Sequence, residues 1–304
     1  MKKTHSKEHI GELFVISQVA LYGLFPVIIN YVTQKMPPVL YAALVTLTAA
    51  VVLFLYLLFT KKLRLIFNRK AFKYILGTTI FVGIIPSILI FTGTRLSSAT
   101  NTAILLESEV FFTFLICGIF FGEKITRHRL IGALIILIGA IAILYQGSLS
   151  INIGDLMIIA ATAFFPVGNR LAQKALELCP VSVVLFLRSL IGGLALLFVS
   201  FIFEKSLASS IPSFKENLIY ILINGIFIFT IAKILWYEGI RRIDISKAIS
   251  IGIAFPAVSM IFAMIFLKEM PNIYQLTGLI FVLTGVWIVT RKRLPQAEIA
   301  PLLD

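Results

Sequence analysis

Two carboxylates stand inside an otherwise apolar stretch of this chain, where ionisable groups are costly to place. Glu107 and Glu109 both lie within residues 98–121. A charge at the centre of a lipid bilayer costs about 3 kcal/mol on insertion scales, so such a group is retained for function or for pairing. At helical spacing the two side chains are about 200° apart, which places them on different faces.

Glu109 has the more polar surroundings of the two carboxylates. On a helix it shares a stripe with Ser98, Thr102 and Thr113, a polar line suited to a water-filled cavity. We therefore expect Glu109 to face the cavity, where it binds substrate or exchanges protons. Two alternatives remain open: a carboxylate paired with a basic residue purely for assembly, and Glu107 as the working group.

Two basic residues also fall within apolar stretches and are candidate partners for these carboxylates or for a substrate. Lys233 lies near the end of its stretch, where it could neutralise a glutamate, bind an anionic group, or snorkel to the interface. Arg188 lies about two turns inside its own stretch, which favours a role with a substrate or a carboxylate.

Polar and aromatic residues complete the set of candidate binding groups. Gln18 and Tyr22 share one face of the first apolar stretch, and Phe165 and Asn169 take the corresponding face in the second half of the chain. Together with Trp236, Tyr22 and Phe165 could form an aromatic wall for a planar or zwitterionic solute. The alternative for each aromatic residue is packing against lipid.

The elements that must position these residues are membrane-spanning helices. Of 304 residues 59% are hydrophobic and 13% charged, and the mean hydropathy is +1.01, values outside the range of soluble domains. A helix crossing the hydrocarbon core needs about 20 apolar residues. Ten such segments are predicted, at 12–32, 38–59, 72–92, 98–121, 129–146, 153–174, 181–203, 217–238, 246–267 and 273–291.

The chain also repeats itself. A shift of 146 positions superimposes identical residues without a gap: Gly93 on Gly239, Arg95 on Arg241, Glu123 on Glu269, Gly132 on Gly278, Gly139 on Gly285, and Ile80-Phe81 on Ile226-Phe227. Each copy holds five spans, so the second copy enters the bilayer from the opposite side, as in many secondary transporters. The expected domains are 1–150 and 151–304, two inverted five-helix repeats in an all-α integral membrane protein.

Basic residues are distributed unevenly over the connecting loops. The 60–73 loop carries six of them, whereas the 147–153 loop carries none. Because positively charged loops stay on the cytoplasmic side, both termini are expected in the cytoplasm of a multi-pass inner-membrane protein. This distribution explains the net charge of +13 without a nucleic-acid partner.

The junctions between the fourth and fifth spans of each copy carry a family resemblance. The first copy has Phe121-Gly122-Glu123-Lys124 followed by Gly132 and Gly139, and the second has Leu267-Lys268-Glu269-Met270 followed by Gly278 and Gly285. This pattern resembles the EamA-type members of the drug/metabolite transporter superfamily, over roughly 12–291. The resemblance implies transport of a small metabolite, an amino acid or a drug-like solute.

The expected function is therefore secondary transport by alternating access, in the direction of export. A passive channel or facilitator and a non-transporting receptor are the alternatives. The three histidines lie outside the predicted spans, and no nucleotide-binding glycine motif occurs, so an enzyme, a cofactor and a metal site are not expected. The expected partners are a small solute, the lipid bilayer and protons as the coupling ion, and the protein is expected to be a monomer or a homodimer.

Overall fold

The computed structural model describes helices throughout, and no β-strand occurs within the described residues. Those residues are 2–120, 127–145, 152–204, 211–240, 242–243, 248 and 251–290. The motif residues Phe121, Gly122, Glu123 and Lys124, and nearly all of the 147–153 loop, lie outside them.

Ten helical segments are described, and we number them in chain order. The first half contains α1 (Lys2–Thr33), α2 (Pro38–Phe59), α3 (Arg69–Leu96), α4 (Ala99–Leu106 and Ser108–Phe120) and α5 (Arg127–Tyr145). The second half contains α6 (Ile153–Leu176), α7 (Val181–Phe203), α8 (Ile211–Ile223, Asn224–Ala232 and Lys233–Ile240), α9 (Phe255–Leu267) and α10 (Ile273–Thr290).

Six of these helices are long and apolar enough to cross a membrane: α1, α2, α3, α4, α7 and α8. Shorter apolar helices are found in α5, α9 and α10. The remaining helix, α6, has 24 residues, and its charged groups Asp155, Arg170 and Lys174 lower its hydropathy. The prediction of a helical membrane protein is confirmed, because a bundle this apolar exposes large hydrophobic side chains over most of its surface.

The helices are interrupted at places that hydrophobicity does not mark. A π-helical turn covers Thr79–Ile84 in α3, and another covers Asn224–Ala232 in α8. These two turns coincide when the chain is shifted by 146 positions. In α8 the Thr230 hydroxyl donates to the Gly225 carbonyl five residues earlier, at 3.0 Å. Such wide turns rotate the following helix face relative to the preceding one, and they are frequent at functional sites.

The fourth helix differs from the continuous helix predicted over 98–121. Glu107 separates Ala99–Leu106 from Ser108–Phe120, so one polar stripe does not run along the whole helix. Thr102 is fully buried and donates to Thr94 Oγ1 at 3.2 Å and to the Ser98 carbonyl. The predicted cavity-facing stripe is therefore wrong at Thr102, which lies in the interface with α3.

Glycines bring helices of the two halves close together. A Cβ atom at Gly132 would lie 2.8 Å from the Gly285 carbonyl oxygen, and one at Gly139 would lie 2.9 Å from that of Gly278. These pairs run in opposite directions along the chain, so α5 and α10 are antiparallel. The glycines thus allow the two helices to approach closely.

The same kind of contact joins α3 to α6 and α1 to α8. A Cβ atom at Gly93 would meet the Gly154 carbonyl oxygen at 2.7 Å, and one at Gly11 would meet that of Gly239 at 3.3 Å. Gly93 and Gly239 are partners in the sequence repeat. Each repeat therefore uses the same glycine to pack its third helix against the first helix of the other repeat.

Hydrogen bonds concentrate at one end of the bundle, where α3 ends and α4 begins. Buried Asp155 accepts from the Ser97 hydroxyl and from Asn101 Nδ2 at 3.1 Å, and Gln275 Nε2 donates to Asn101 Oδ1 at 2.7 Å. These four residues are called the end network below. Ser97 and Asn101 belong to the first half, and Asp155 and Gln275 to the second, so the network ties the halves together.

Two glutamates cap helix starts at this same end. The Glu269 carboxylate accepts from the backbone N–H groups of Ala99 and Thr100, at 3.0 and 3.1 Å. The Glu204 carboxylate accepts from those of Val39 and Leu40, both at 2.9 Å. Each glutamate thus satisfies two donors that a helix leaves unpaired.

Candidate functional site

The centre of the bundle holds a polar contact between the two halves. Asn169 Nδ2 of α6 donates to Glu109 Oε1 of α4 at 2.8 Å. Glu109 lies in the first turn of the second part of α4, directly after the interruption at Glu107 and the buried Ser108. The interruption aims the Glu109 carboxylate at α6, so two of the predicted site residues meet.

Lys233 brings a positive charge to the same region. It interacts electrostatically with Glu109, and its Nζ lies 5.7 Å from the centroid of the Tyr22 ring. Lys233 directly follows the π-turn Asn224–Ala232 of α8, so that turn sets the direction of its side chain. The snorkelling alternative does not describe this geometry, because the ammonium group lies over a ring of α1 in the interior.

Arg188 of α7 approaches the centre from the other side. Its charge interacts with Tyr22 and Tyr237, and also with Lys233. A Cβ atom at Gly83 would lie 3.8 Å from Arg188 Cγ, so the arginine stem packs along the π-turn of α3. The two repeat-related π-turns therefore flank the two basic residues of the centre.

Aromatic rings surround Tyr22 in an arrangement that differs from the predicted wall. Tyr22 stacks on Phe25 with centroids 5.1 Å apart and an interplanar angle of 13°, and it meets Phe255 at 5.2 Å. Phe165 packs in the cluster that contains Phe25, whereas Trp236 packs in the cluster that contains Phe255. Tyr22 contacts both clusters, so it joins the two predicted aromatic residues through rings that the prediction did not include.

Phe25 and Phe255 are the residues that sequence reasoning missed. Phe25 is three residues beyond Tyr22 on α1, and Phe255 opens the described part of α9 beside Pro256. The i, i+3 spacing on α1 was a usable signal for Phe25. For Phe255 no local signal exists, because its meeting with Tyr22 depends on how α9 packs against α1.

The two remaining predicted residues lie close to this centre. Glu107 interacts electrostatically with Glu109, and both carboxylates act on Tyr22. Gln18 lies one turn before Tyr22 on α1 and is partly exposed. The nine predicted residues thus fall into one central set around Tyr22, with Glu107, Gln18, Phe165 and Trp236 at its margin.

The central charged groups are not fully buried. Glu109, Arg188 and Lys233 are each partly exposed, and Asn169 is exposed. Within the described residues no direct ion pair joins Lys233 to Glu109, although their charges interact. The Glu109 carboxylate is therefore bonded directly to the Asn169 amide rather than to the lysine.

Exposure differs along α6. Asp155, near the start of the helix, is 1% exposed and belongs to the end network. Asn169 and Arg170, in its second half, are exposed. The exposed polar groups of α6 therefore lie in the half of the helix away from the end network.

The described residues contain no group of three or more His, Cys, Asp or Glu side chains that could hold a metal ion. The expectation that the protein works without a cofactor stays a prediction. What the site offers is recognition chemistry: a carboxylate, an amide, two basic groups and aromatic faces.

A bundle of apolar helices in which charged groups of both halves approach one another is the arrangement expected of a solute carrier. Comparison with known families agrees with this class of protein. The sequence model of the EamA-like transporter family matches residues 9–145 and again residues 152–291. The chain belongs to this family, with two copies of its characteristic unit, and it is a multi-pass membrane transporter and a member of the drug/metabolite transporter superfamily.

Curated relatives are also transporters. An uncharacterized transporter of Methanothermobacter thermautotrophicus is 28% identical over 73% of this chain and 65% of its own length. The uncharacterized transporter YetK of Bacillus subtilis is 25% identical over 92% and 86%. A probable amino-acid metabolite efflux pump of Salmonella typhimurium is 24% identical over 89% and 91%. These relatives point to a transporter rather than an enzyme.

A solved crystal structure shares the fold. It superimposes with a TM-score of 0.66 and 17% sequence identity, covering 92% of this chain and 96% of the other. At that identity the likeness concerns the arrangement of the helices alone.

Proposed function

We propose that the protein is a secondary transporter that exports a small zwitterionic solute, of the amino-acid class, across the inner membrane. The observation that carries the proposal is the central arrangement of Glu109 and Asn169 opposite Lys233 and Arg188. A carboxylate suits the ammonium group of an amino acid, and the two basic groups suit its carboxylate. The name of the Salmonella relative, a probable amino-acid metabolite efflux pump, agrees with this class.

The proposed topology is ten crossings in two oppositely oriented halves, residues 1–150 and 151–304, with both termini in the cytoplasm. The coincidence of the π-turns of α3 and α8 under the 146-residue shift supports the repeat. The antiparallel pairing of α5 with α10 supports alternating helix directions. The six basic residues of the 60–73 loop support the cytoplasmic assignment of that side.

On this topology the end network lies on the outer side, and its hydrogen bonds would hold the described conformation closed outward. A substrate enters between Glu109 and the basic pair from the cytoplasm. Rocking of the halves would then break the end network and open a path outward, as expected for alternating access around a central site. Protonation of Glu109 from outside would release its hold on the substrate and couple the cycle to protons.

The test is a ligand screen followed by transport. The purified protein is heated with a library of amino acids and related metabolites, since a ligand that binds the folded state raises the melting temperature. Each hit is then offered to proteoliposomes with and without a pH gradient. We expect zwitterionic amino acids among the hits, and saturable uptake with counterflow.

Two results would remove the proposal. Hits confined to uncharged or purely cationic solutes would contradict the paired-charge site. Uptake that rises linearly with concentration and shows no counterflow would indicate a passive channel instead.

A further inference from the structure

A second polar site lies away from the Glu109–Asn169 contact, between the start of α3 and the end of α6. A cleft of about 300 Å³ is lined there by Tyr74 of α3 and by Arg170, Gln173, Lys174, Glu177 and Leu178 of α6 and its end. The transport cycle proposed above does not use these residues.

The cleft collects positive charge around an aromatic ring. Lys73 Nζ lies 4.9 Å from the centroid of the Tyr74 ring, and Lys174 Nζ lies 5.8 Å from it. Both ammonium groups are thus held by cation–π contacts in addition to their flexible stems. Arg170 Nη1 donates to Gln173 Oε1 at 3.3 Å, which directs the guanidinium along the same wall. Two basic side chains, Arg170 and Lys174, therefore line the cleft, and Lys73 lies beside its aromatic ring.

The position of these groups along α6 matches the edge of the hydrocarbon layer. Ile153 and Leu156, at the other end of the helix, are 60% and 40% exposed and mark the face away from the bundle. Lys174 follows Leu156 by 18 residues, which is five full turns, so it lies on that same face about 27 Å further along the axis. That distance is close to the thickness of the hydrocarbon core, about 30 Å. The basic cleft therefore opens toward the lipid headgroups.

We propose that this cleft binds the phosphate of an anionic phospholipid, of the phosphatidylglycerol class, in the cytoplasmic leaflet. Basic pockets between helices on this side of the membrane suit phospholipid headgroups, and the acyl chains would lie along the exposed apolar face of α6. Assignment to the cytoplasmic leaflet rests on the topology proposed above, whereas binding itself does not. The lipid would tie the start of α3 to the end of α6, one helix from each half.

Glu177 in the lining does not oppose this assignment. It follows Lys174 by three residues, so it lies about 4.5 Å closer to the aqueous end. At that level it meets the outer part of a headgroup rather than the phosphate. A hydroxyl-bearing glycerol group is a suitable donor to its carboxylate.

The test measures lipid retention by the full-length protein in mild detergent, using native mass spectrometry. Phosphatidylglycerol, phosphatidylcholine and inorganic phosphate are added in separate arms. We expect retention of one phosphatidylglycerol molecule in preference to phosphatidylcholine. The double variant Arg170→Gln/Lys174→Gln should bind it on the order of thirtyfold more weakly, which is roughly fivefold for each basic residue near an anionic headgroup.

The chain offers a matched control at the opposite end. Lys35 Nζ lies 4.1 Å from the centroid of the Tyr31 ring, so Lys35→Gln removes an equivalent exposed cation–π pair outside the cleft. This variant should retain phosphatidylglycerol as the wild type does. A second cleft variant, Tyr74→Leu, keeps every charge and should still weaken retention, because it removes the ring that orders both lysines.

Three outcomes would overturn the proposal. Equal retention by the double variant and the wild type would show that these residues do not bind the lipid. Equal retention of phosphatidylcholine would remove the charge selection. Displacement of phosphatidylglycerol by an equal concentration of inorganic phosphate would assign the cleft to a free anion. None of these outcomes depends on transport, so they leave the central site untouched.

Discussion

The contact between Glu109 and Asn169 gives the two carboxylates of α4 different surroundings. Glu109 accepts a hydrogen bond across the halves and acts on Lys233, whereas Glu107 sits at the interruption of the helix. The two carboxylates are only two positions apart in the chain. The difference in role therefore comes from the neighbouring helices.

The first prediction compares Glu109→Gln with Glu107→Gln. Glutamine at 109 keeps the size and the hydrogen-bonding capacity of the side chain but removes the charge that acts on Lys233. Transport should therefore fall by about tenfold or more, because one charge-assisted contact is lost. Glutamine at 107 should reduce transport less. Uptake into proteoliposomes measures both, and melting temperatures confirm that both variants are folded. Full activity of both variants would exclude coupling through α4.

The second prediction concerns Cys179, between α6 and α7. Its side chain is 4% exposed, and burial raises the pKa of the thiol above its ordinary value. Since the thiolate is the reactive form, a raised pKa leaves less of it at neutral pH. A maleimide should therefore label the native protein slowly at this position and the denatured protein quickly. Fast labelling of Cys179 in the folded protein, located by peptide mass spectrometry, would contradict the buried position.

At the scale of helices, the close contacts of α5 with α10 depend on the absence of side chains at four glycines. Gly139 is the clearest case, because a Cβ atom there would lie 2.8 Å from Val282 Cγ2 and 2.9 Å from the Gly278 carbonyl oxygen. The second distance involves backbone, which cannot rotate away. The two helices would have to separate to admit a side chain.

The third prediction follows from that contact. Gly139→Leu should lower the free energy of unfolding by about 1–3 kcal/mol, the usual cost of overpacking, and should lower the melting temperature in detergent. Gly192→Ala on α7 is the matched control, since its nearest neighbour would be Thr79 Cγ2 at 3.4 Å. The control should melt as the wild type does. A stable Gly139→Leu protein would mean that α5 and α10 are further apart.

The sequence was a good guide to where helices lie and a poor guide to their internal irregularities. Apolar runs predicted the six helices that are long and apolar enough to cross a membrane, because burial in lipid requires length and hydrophobicity. The π-turns of α3 and α8 and the interruption at Glu107 carry no such signal, because hydrophobicity does not distinguish a π-turn or a break from a regular α-helical turn. That is why Thr102 was misplaced: the predicted polar stripe assumed one continuous helix over 98–121.

At the scale of the whole molecule, the polar contacts between halves are distributed asymmetrically. The end network lies at the end proposed to face outward, and Glu204 and Glu269 cap helices there. At the other end the described contacts between halves include glycine packing of α1 on α8 and the Asn68 amide on the Leu178 carbonyl. Opening the molecule outward therefore requires breaking buried hydrogen bonds.

The fourth prediction tests this barrier. Asn101→Ala removes the residue that bridges Asp155 and Gln275, so the outward-open state should become more populated. A reporter thiol introduced by Gln18→Cys should then react faster with an impermeant reagent added outside, by about tenfold if one buried hydrogen bond of 1.4 kcal/mol is lost. Thr277→Ala is the control, because its hydroxyl donates to the Ile273 carbonyl within α10.

Unchanged outside labelling in the Asn101→Ala protein would mean that the end network does not hold the halves closed. Faster labelling from the cytoplasmic side would mean that the network lies on the other side of the membrane, and the proposed orientation would be reversed.

The paired π-turns of α3 and α8 also bear on how the gene was assembled. A π-turn generally requires one residue more than the regular helix that it interrupts. The two π-turns overlap when the chain is shifted by 146 positions, so both copies of the repeat contain the widened turn at matching places. The simplest history is a π-turn that was present before the unit was duplicated. On the proposed inverted topology, two such units would have paired in opposite orientations, each contributing one widened helix.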